Sequence, residues 1–297
     1  MVSSTIQRLT QQQHIRPPSW LPDNVRYETI MGSQAYGVTT ENSDWDMVGF
    51  CVPPKDMVFP HLAGYIPGFG RQQQKFVCYQ QHHVRAEEKT YDLNCYNIVH
   101  WFHLVMDNNP NMLDSLFVPR ECIVHSSRIS EMIREKRHMF LHKGAWHKYK
   151  GYAYSQLHKM KNKHPEGKRA VTVAKYGYDV KFAYHLVRLL YEIEQILVEG
   201  DLDLQRNREH LKAIRRGDVL ESDIRRWAAE REHRLEKAYT ESKLPWGPDQ
   251  DGVKQLLLDC LEEHYGTIEG CIVTDNGPVV AMREIAAIVD KHRSMIA

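Results

Sequence analysis

Three aspartates and a glycine-serine turn are the residues of this chain whose types and spacing suit chemistry. Asp44 and Asp46 stand two residues apart in a strand-like segment, so their side chains share one face. Asp92 lies in a second segment of the same kind. Gly32 and Ser33 follow an apolar run, where glycine lets the backbone approach phosphate oxygens and serine can donate hydrogen bonds to them. These residue types indicate a site for a nucleoside triphosphate and its metal ions.

Carboxylates in this arrangement could hold two Mg²⁺ ions for phosphoryl transfer. Two ions about 3.5–4 Å apart can activate an attacking hydroxyl and neutralise the leaving pyrophosphate. Mg²⁺ keeps several of its waters, so few protein carboxylates are needed. A D-x-D pair alone is weak support, because most such pairs are exposed acids in turns. The upstream glycine-serine turn and the third carboxylate favour the metal-binding interpretation.

A second group of candidate residues lies far along the chain. Lys181, His185 and Arg188 are spaced i, i+4 and i+7, which places them on one stripe of a helix. Phosphoryl transfer is catalysed mainly by positioning and charge stabilisation, so these side chains could contact a triphosphate from the opposite side of a cleft. A solvated basic stripe is the other interpretation.

The elements that must position these residues follow from hydrophobic periodicity and from turn residues. We expect strands at 25–31, 44–52, 84–93 and 121–125, and a loop-rich, flap-like segment at 55–88. After residue 140 we expect helices at 145–163, 168–199, 206–215, 221–240, 249–265 and 278–293. The pattern therefore predicts an α/β domain over residues 1–140 and an all-helical domain over residues 141–297 that forms half of the cleft.

Composition narrows the classes of function. No run reaches transmembrane length and the first residues lack the apolar core of a signal peptide, so we expect a cytoplasmic protein that does not contact membranes. The 6 cysteines show no C-x-x-C spacing, which argues against zinc and redox sites. Residues 131–190 contain 14 Lys/Arg against 4 Asp/Glu, an excess that suits a polyanion or a solvated helical face.

Several short motifs occur in a fixed order over residues 17–225. They are GSQAYG (32–37), SDWD (43–46), YDL (91–93), NPN (109–111), GYA (151–153), KFAYHLVRLL (181–190) and IRRG (214–217). In these motifs the chain resembles the nucleotidyltransferases of the DNA polymerase beta superfamily. More narrowly, it is similar to the YcgL/RlaP-type nucleotidyltransferases, some of which are found alongside RNA-repair genes. One departure is Asp114, where the resemblance would place a glutamate in the helix after NPN.

The resemblance implies a fold and a set of site residues. The fold is α+β, with a small mixed-sheet, polymerase beta-like palm domain followed by the helical domain. The catalytic and metal-binding residues are Asp44, Asp46 and Asp92, which hold two Mg²⁺ or Mn²⁺ ions, with Asp92 nearest the acceptor hydroxyl. The residues that bind the NTP phosphates are Gly32, Ser33, Lys181, His185 and Arg188.

The activity that the resemblance implies is transfer of a nucleoside monophosphate from an NTP to an acceptor hydroxyl, with release of pyrophosphate. The basic segment and the RNA-repair context favour an RNA 3′ end as the acceptor. A protein hydroxyl, as in AMPylation, is the alternative among enzymes. A non-catalytic nucleotide- or RNA-binding protein is the alternative of another class, and the intact trio of aspartates argues against it. The sequence indicates no oligomeric state.

Overall fold

A mixed five-stranded sheet forms the N-terminal half of the described chain. The computed structural model describes residues 3–40, 43–66, 68–70, 75–162, 166–266, 281–282, 284–286 and 288–289. The strands are β1 (Val25–Ile30), β2 (Trp45–Cys51), β3 (Cys78–Ala86), β4 (Lys89–Asn97) and β5 (Ile123–Ser126), in the spatial order β3-β4-β2-β1-β5. β2 and β4 run parallel, whereas the other neighbours are antiparallel. The expectation of an α+β fold with a mixed sheet is confirmed.

Helices surround the sheet and then form the C-terminal half. In chain order they are α1 (Thr5–Gln11), α2 (Leu21–Asn24), α3 (Lys55–Val58), α4 (Ile98–Met106), α5 (Pro110–Phe117), α6 (Arg128–Glu135), α7 (Ala145–Asn162), α8 (Lys168–Tyr176), α9 (Val180–Glu199), α10 (Arg208–Arg216), α11 (Glu221–Glu241) and α12 (Gln250–Tyr265). Short 3-10 helices span Pro60–Ala63, Arg120–Cys122 and Arg137–Phe140. Within the described ranges, every helix is too short or too polar to span a lipid bilayer.

The central strand β2 carries apolar side chains on both faces, and both of its faces are covered. On one face, Met47 of β2 and Leu93 of β4 are buried against the N-terminal segment that contains α1. On the other face, Val48 and Phe50 belong to a larger core that continues into the helical half. Asp46 shares this second face, because side chains on a strand alternate. The aspartate therefore points toward the helical half.

Helix α9 is the central element of the helical half. It contacts α7, α8, α10 and α11, and most of its residues are buried. Apolar residues recur at helical spacing along α9 between two end signals: the Asp179 carboxylate caps the first turn, and Gly200 ends the helix in the left-handed conformation. Through this helix, the large core runs without interruption from Tyr27 of the sheet to Leu256 of α12.

Two expected regions differ from the structure, and a third lies largely outside the described residues. Residues 78–97 form a hairpin in which β3 pairs with β4. The sequence had predicted a flap-like loop up to residue 88 and a single strand over 84–93. Strand β3 is polar and lies at the sheet edge, where exposure removes the alternating apolar pattern. The expected helix 168–199 is two helices, separated at Gly177 and capped anew at Asp179. The expected helix over 278–293 lies largely outside the described residues.

Candidate active site

Asp46 and Asp92 lie side by side in the middle of the sheet. They are direct partners in the parallel pairing of β2 with β4, so their side chains leave neighbouring strands on the same face. Asp44 is exposed and lies just before β2 begins. The structure therefore brings the three predicted carboxylates to one end of two adjacent strands, as a D-x-D pair and a third acid on the next strand would require.

The half-buried Asp46 carboxylate shows how close these charges are. Burial raises its pKa above the usual value, and the negative charges of Asp92 and Asp44 raise it further. Lys181 and His82 act in the opposite direction and lower this pKa. Carboxylates that repel one another in this way favour a bound cation, which would relieve the repulsion. Lys181 faces this group from the helical half.

The glycine-serine turn lies directly against the Asp46 carboxylate. Gly32 has a φ of +63°, and a Cβ built on it would lie 2.0 Å from Asp46 Oδ2. The backbone also joins the two segments, since Met31 N–H donates to Asp46 O at 2.7 Å. After Gly32 the chain winds through one helical turn, in which Val38 N–H donates to Ser33 O at 2.8 Å. The partly exposed Ser33 therefore lies one residue from the point of contact with the carboxylate.

Lys181 and His185 differ in charge although they share one helix. Lys181 is exposed in the first turn of α9. Burial, together with the cations Arg188 and Lys181, lowers the pKa of His185 well below its usual range. At neutral pH the His185 imidazole is therefore uncharged, so it can donate or accept a hydrogen bond but cannot neutralise a phosphate. Of these two side chains, Lys181 alone supplies positive charge.

Arg188 is buried in a network of hydrogen bonds with residues of three segments. Its Nη1 donates to Tyr36 Oη and to Asp114 Oδ2, each at 2.6 Å, and to Glu192 Oε1 at 2.9 Å. Tyr36 in turn donates to Asp114 Oδ2 at 2.7 Å. A phosphate could reach this guanidinium only by displacing these buried partners. The structure thus places Arg188 away from the exposed side of the helix that carries Lys181.

This network contains residues that the sequence did not single out for the site. Asp114 is fully buried, and Tyr149 Oη contacts its other oxygen at 3.5 Å. Glu192 is buried one helical turn after Arg188. The sequence feature that could have pointed to this network is Tyr36, which stands inside the GSQAYG motif between two glycines. Tyr36 carries the connection from the turn to α5 and α9.

The helical half also contacts the turn through the region of α10. Gln205 Nε2 donates to Ala35 O at 3.3 Å, and Arg215 Nη1 donates to Val38 O at 2.7 Å. Arg215 belongs to the IRRG motif, but its role could not be read from that spacing. The carbonyl groups of the turn are thus held by side chains of the helical half.

The donor set at this site suits Mg²⁺ or Mn²⁺ in chemistry. All three acids supply hard oxygen ligands, which these ions prefer, and the charges of Asp92 and Asp44 add to burial in raising the pKa of Asp46. Within the described residues, no three His, Cys, Asp or Glu side chains are already converged on one point. One oxygen of Asp92 is instead hydrogen-bonded within the sheet: Oδ1 accepts from the backbone N–H of His83 at 2.7 Å.

The chain matches one family model over most of its length. The family model described as RlaP, RNA repair pathway DNA polymerase beta family, matches residues 1–259. The match includes the sheet, the three aspartates, the glycine-serine turn and helix α9. No curated protein matches the chain.

Proposed function

Because the chain belongs to the RNA repair pathway DNA polymerase beta family, we propose that it is a metal-dependent nucleotidyltransferase. It transfers a nucleoside monophosphate from an NTP to an acceptor hydroxyl and releases pyrophosphate. The observation that carries this proposal is the pairing of Asp46 with Asp92 on adjacent parallel strands, with the Gly32 turn in contact with Asp46. A nucleotide bound at the turn would have its phosphates beside the carboxylates.

In this mechanism the chain's own residues mainly position and neutralise. Asp44 and Asp46 would hold divalent ions, and Asp92 would complete the set on the side of the acceptor hydroxyl. When bound, the ions activate that hydroxyl and neutralise the pyrophosphate. Ser33 donates from its hydroxyl and amide to the β- and γ-phosphates, while Gly32 leaves room for them to approach the backbone.

The helical half contributes the opposite wall of the proposed site. Lys181 neutralises charge on the triphosphate, and neutral His185 offers it a hydrogen bond. Arg188 acts from behind by holding Tyr36 and thereby the turn. This division of roles follows from exposure and charge, since Lys181 is exposed whereas Arg188 is buried.

An RNA 3′ end is the acceptor that the surface charge favours. Basic side chains gather around Phe182, next to Lys181: Arg169 Cζ lies 3.9 Å and Lys159 Nζ 5.9 Å from the centroid of its ring. They come from α7 and α8, and Arg169, whose charge also lowers the pKa of the nearby His185, is paired with Asp179 at the start of α9. Such a surface attracts a polyanionic backbone without reading its sequence. Protein nucleotidylation, as in AMPylation, is the competing acceptor chemistry.

Metal-dependent NTP binding tests the proposal directly. We expect wild type to bind NTP more tightly with Mg²⁺ than with EDTA, and the double variant Asp44→Ala with Asp46→Ala to lose this difference. A control removes a D-x-D pair elsewhere, the exposed Asp249 and Asp251, of which Asp249 caps α12; this Asp249→Ala and Asp251→Ala variant should keep the difference between Mg²⁺ and EDTA. Equal NTP affinity in wild type with Mg²⁺ and with EDTA would contradict the two-metal mechanism.

Acceptor preference is tested with α-labelled NTPs and Mn²⁺ or Mg²⁺. Purified protein is offered total RNA, tRNA and a cell lysate, and the label is followed on RNA and on protein. We expect the wild-type protein to label RNA ends. The double variant Asp44→Ala with Asp46→Ala should leave them unlabelled. Label on protein alone would reject the RNA acceptor and favour the AMPylation-type reaction.

A further inference from the structure

A β-bulge in the edge strand β3 lies directly opposite Asp92. Gln81 pairs with Leu93 and Val84 pairs with Tyr91, so two residues of β3, His82 and His83, face the single residue between them on β4. A bulge of this kind bends the strand and redirects a group next to it, and bulges are frequent beside active sites. Here the redirected group is the backbone N–H of His83.

The bulge fixes one oxygen of the Asp92 carboxylate. His83 N–H donates to Asp92 Oδ1 at 2.7 Å, which is a normal hydrogen-bond length for a charged acceptor. His83 reaches this position with a φ of +55°, a left-handed conformation that few residues other than glycine adopt. Among the described residues, none donates a hydrogen bond to Oδ2. The carboxylate is therefore held by one oxygen and offers the other.

The two imidazoles of the bulge lie farther from the carboxylate than the amide does. The Nδ1 atoms of His82 and His83 are 3.6 and 3.7 Å from Asp92 Oδ1, and their side chains are 57% and 79% exposed. At these distances they form no direct hydrogen bond. The close contact belongs to the backbone, which means that the conformation of residue 83 matters more than its side chain.

We propose that the His82–His83 bulge is a positioning element that orients Asp92 as a ligand through a single oxygen. The inference rests on the proposed function, in which Asp92 binds a divalent ion on the acceptor side. Groups that hydrogen-bond to a metal ligand orient it, and their loss typically weakens metal affinity by about 10–100-fold. His83 is thus a positioning residue that acts through Asp92.

Two substitutions separate the backbone conformation from the imidazole. His83→Gly and His83→Val both remove the ring, but glycine adopts positive φ readily whereas a β-branched residue strongly resists it. The readout is Mn²⁺ affinity, measured by electron paramagnetic resonance with a non-hydrolysable NTP analogue, so it does not depend on turnover. We expect about a tenfold or greater loss of affinity for His83→Val and less than about a threefold change for His83→Gly.

A third measurement shows whether the effect passes through Asp92. In an Asp92→Ala background, which has no acceptor for the His83 N–H, His83→Val should cause no further loss of Mn²⁺ affinity, whereas a general loosening of the sheet would add to it. Equal losses for His83→Gly and His83→Val would overturn the proposal in favour of the imidazole. No loss for either variant would reject the bulge as a positioning element.

The two proposals fail in different ways. If wild type binds no Mn²⁺ in the presence of the NTP analogue, the proposed nucleotidyltransferase function itself is rejected. If wild type binds Mn²⁺ and His83→Val binds it equally well, only the role of the bulge is rejected. Thermal unfolding of each variant, followed by circular dichroism, confirms that the compared proteins are folded.

Discussion

At the scale of single residues, Gly32 has no room for a side chain. A Cβ there would lie 2.0 Å from Asp46 Oδ2, and the φ of +63° is itself costly for any other residue. Either the turn or the carboxylate must move if a methyl group is added. The position thus couples the geometry of the turn to that of the metal-binding acid.

Gly32→Ala should reduce kcat/KM for nucleotidyl transfer by about 10²-fold, because misplacement by about 1 Å can cost that much. Gly177→Ala is the matched control: its φ is +82°, but nothing lies within 4 Å of the added Cβ. Both variants should be less stable by about 1 kcal/mol or more, since alanine resists positive φ. Equal catalytic losses in the two variants would show that backbone strain, and not contact with Asp46, is responsible.

Lys181 and Arg188 should respond differently to substitution, although they stand on one helix. Lys181→Ala is expected to weaken binding of a nucleoside triphosphate more than that of a monophosphate, with little change in stability, because the side chain is exposed. Arg188→Met should lower the free energy of unfolding by about 3–5 kcal/mol, because it leaves Asp114 and Glu192 buried without their partner. Isothermal titration and denaturant unfolding measure the two quantities, and a stable Arg188→Met protein with weakened triphosphate binding would reverse these roles.

These residues also show what sequence can reveal about a site. The strand period predicted that Asp44 and Asp46 share a face, and the separate strand-like segment around Asp92 pointed to a third acid. The helical period placed Lys181 and Arg188 on one stripe but could not say which part of it is covered. That depends on Tyr36, which is separated from Arg188 by 152 residues and is brought there only by the tertiary fold.

At the scale of elements, one hydroxyl group joins the turn to both α5 and α9. Tyr36 Oη accepts from Arg188 and donates to Asp114, and all three groups are buried. Removing this hydroxyl leaves Arg188 and Asp114, which are both buried, with one hydrogen bond fewer each. The cost of such a loss is about 1–3 kcal/mol.

Tyr36→Phe should therefore lower the free energy of unfolding by about 1–3 kcal/mol. Tyr152→Phe serves as the control, because the Tyr152 hydroxyl contacts Asn109 Nδ2 at 3.3 Å on an exposed surface, where water can replace it. Urea unfolding monitored by fluorescence gives both values. Similar small losses for the two variants would mean that the buried network contributes little to joining the three elements.

Element boundaries were predictable where the sequence carries a strong local signal. Strand β1 was expected from its alternating sequence, β2 from the segment that Pro53 and Pro54 close, and Gly200 marks the end of α9. The strand β3 gave no such signal, because an edge strand with one pairing partner can be polar. The break between α8 and α9 was hidden by continuous helical periodicity, although Gly177 and the capping Asp179 stand there.

At the scale of the whole molecule, α12 closes the chain back onto the sheet. Arg26 Nε of β1 lies 3.3 Å from His264 Nδ1, and Tyr265 Oη donates to Pro53 O. Burial, followed by the nearby cations Arg26 and Lys55, lowers the pKa of His264 from 6.5 to about 4. A neutral imidazole is therefore part of the folded contact.

This contact predicts a loss of stability in acid. Between about pH 6.5 and pH 4 the unfolded chain binds a proton at His264 that the folded chain does not bind, so the free energy of unfolding falls as the pH falls through this window. His264→Gln should lose less stability than wild type between pH 7.5 and pH 5. Some loss remains in the variant, because burial also lowers the pKa of His142, His185 and His210. Denaturant titrations at both pH values test this, and equal losses would contradict it.

The buried network around Tyr36 has a consequence for biosynthesis. Arg188 follows Tyr36 by 152 residues, so at about 5–20 residues per second a ribosome needs about 8–30 s to make the partner of a turn it has already released. Asp114 is made 74 residues before Arg188 and so lacks its counterion for about the second half of this interval, while the sheet face that the helices will cover is open to water and to chaperones. Ribosome-bound chains that expose residues only up to 180 should therefore be cleaved by protease more readily within the sheet than chains that also expose α9. Equal protection of both would show that the sheet folds before its helical partner is synthesised.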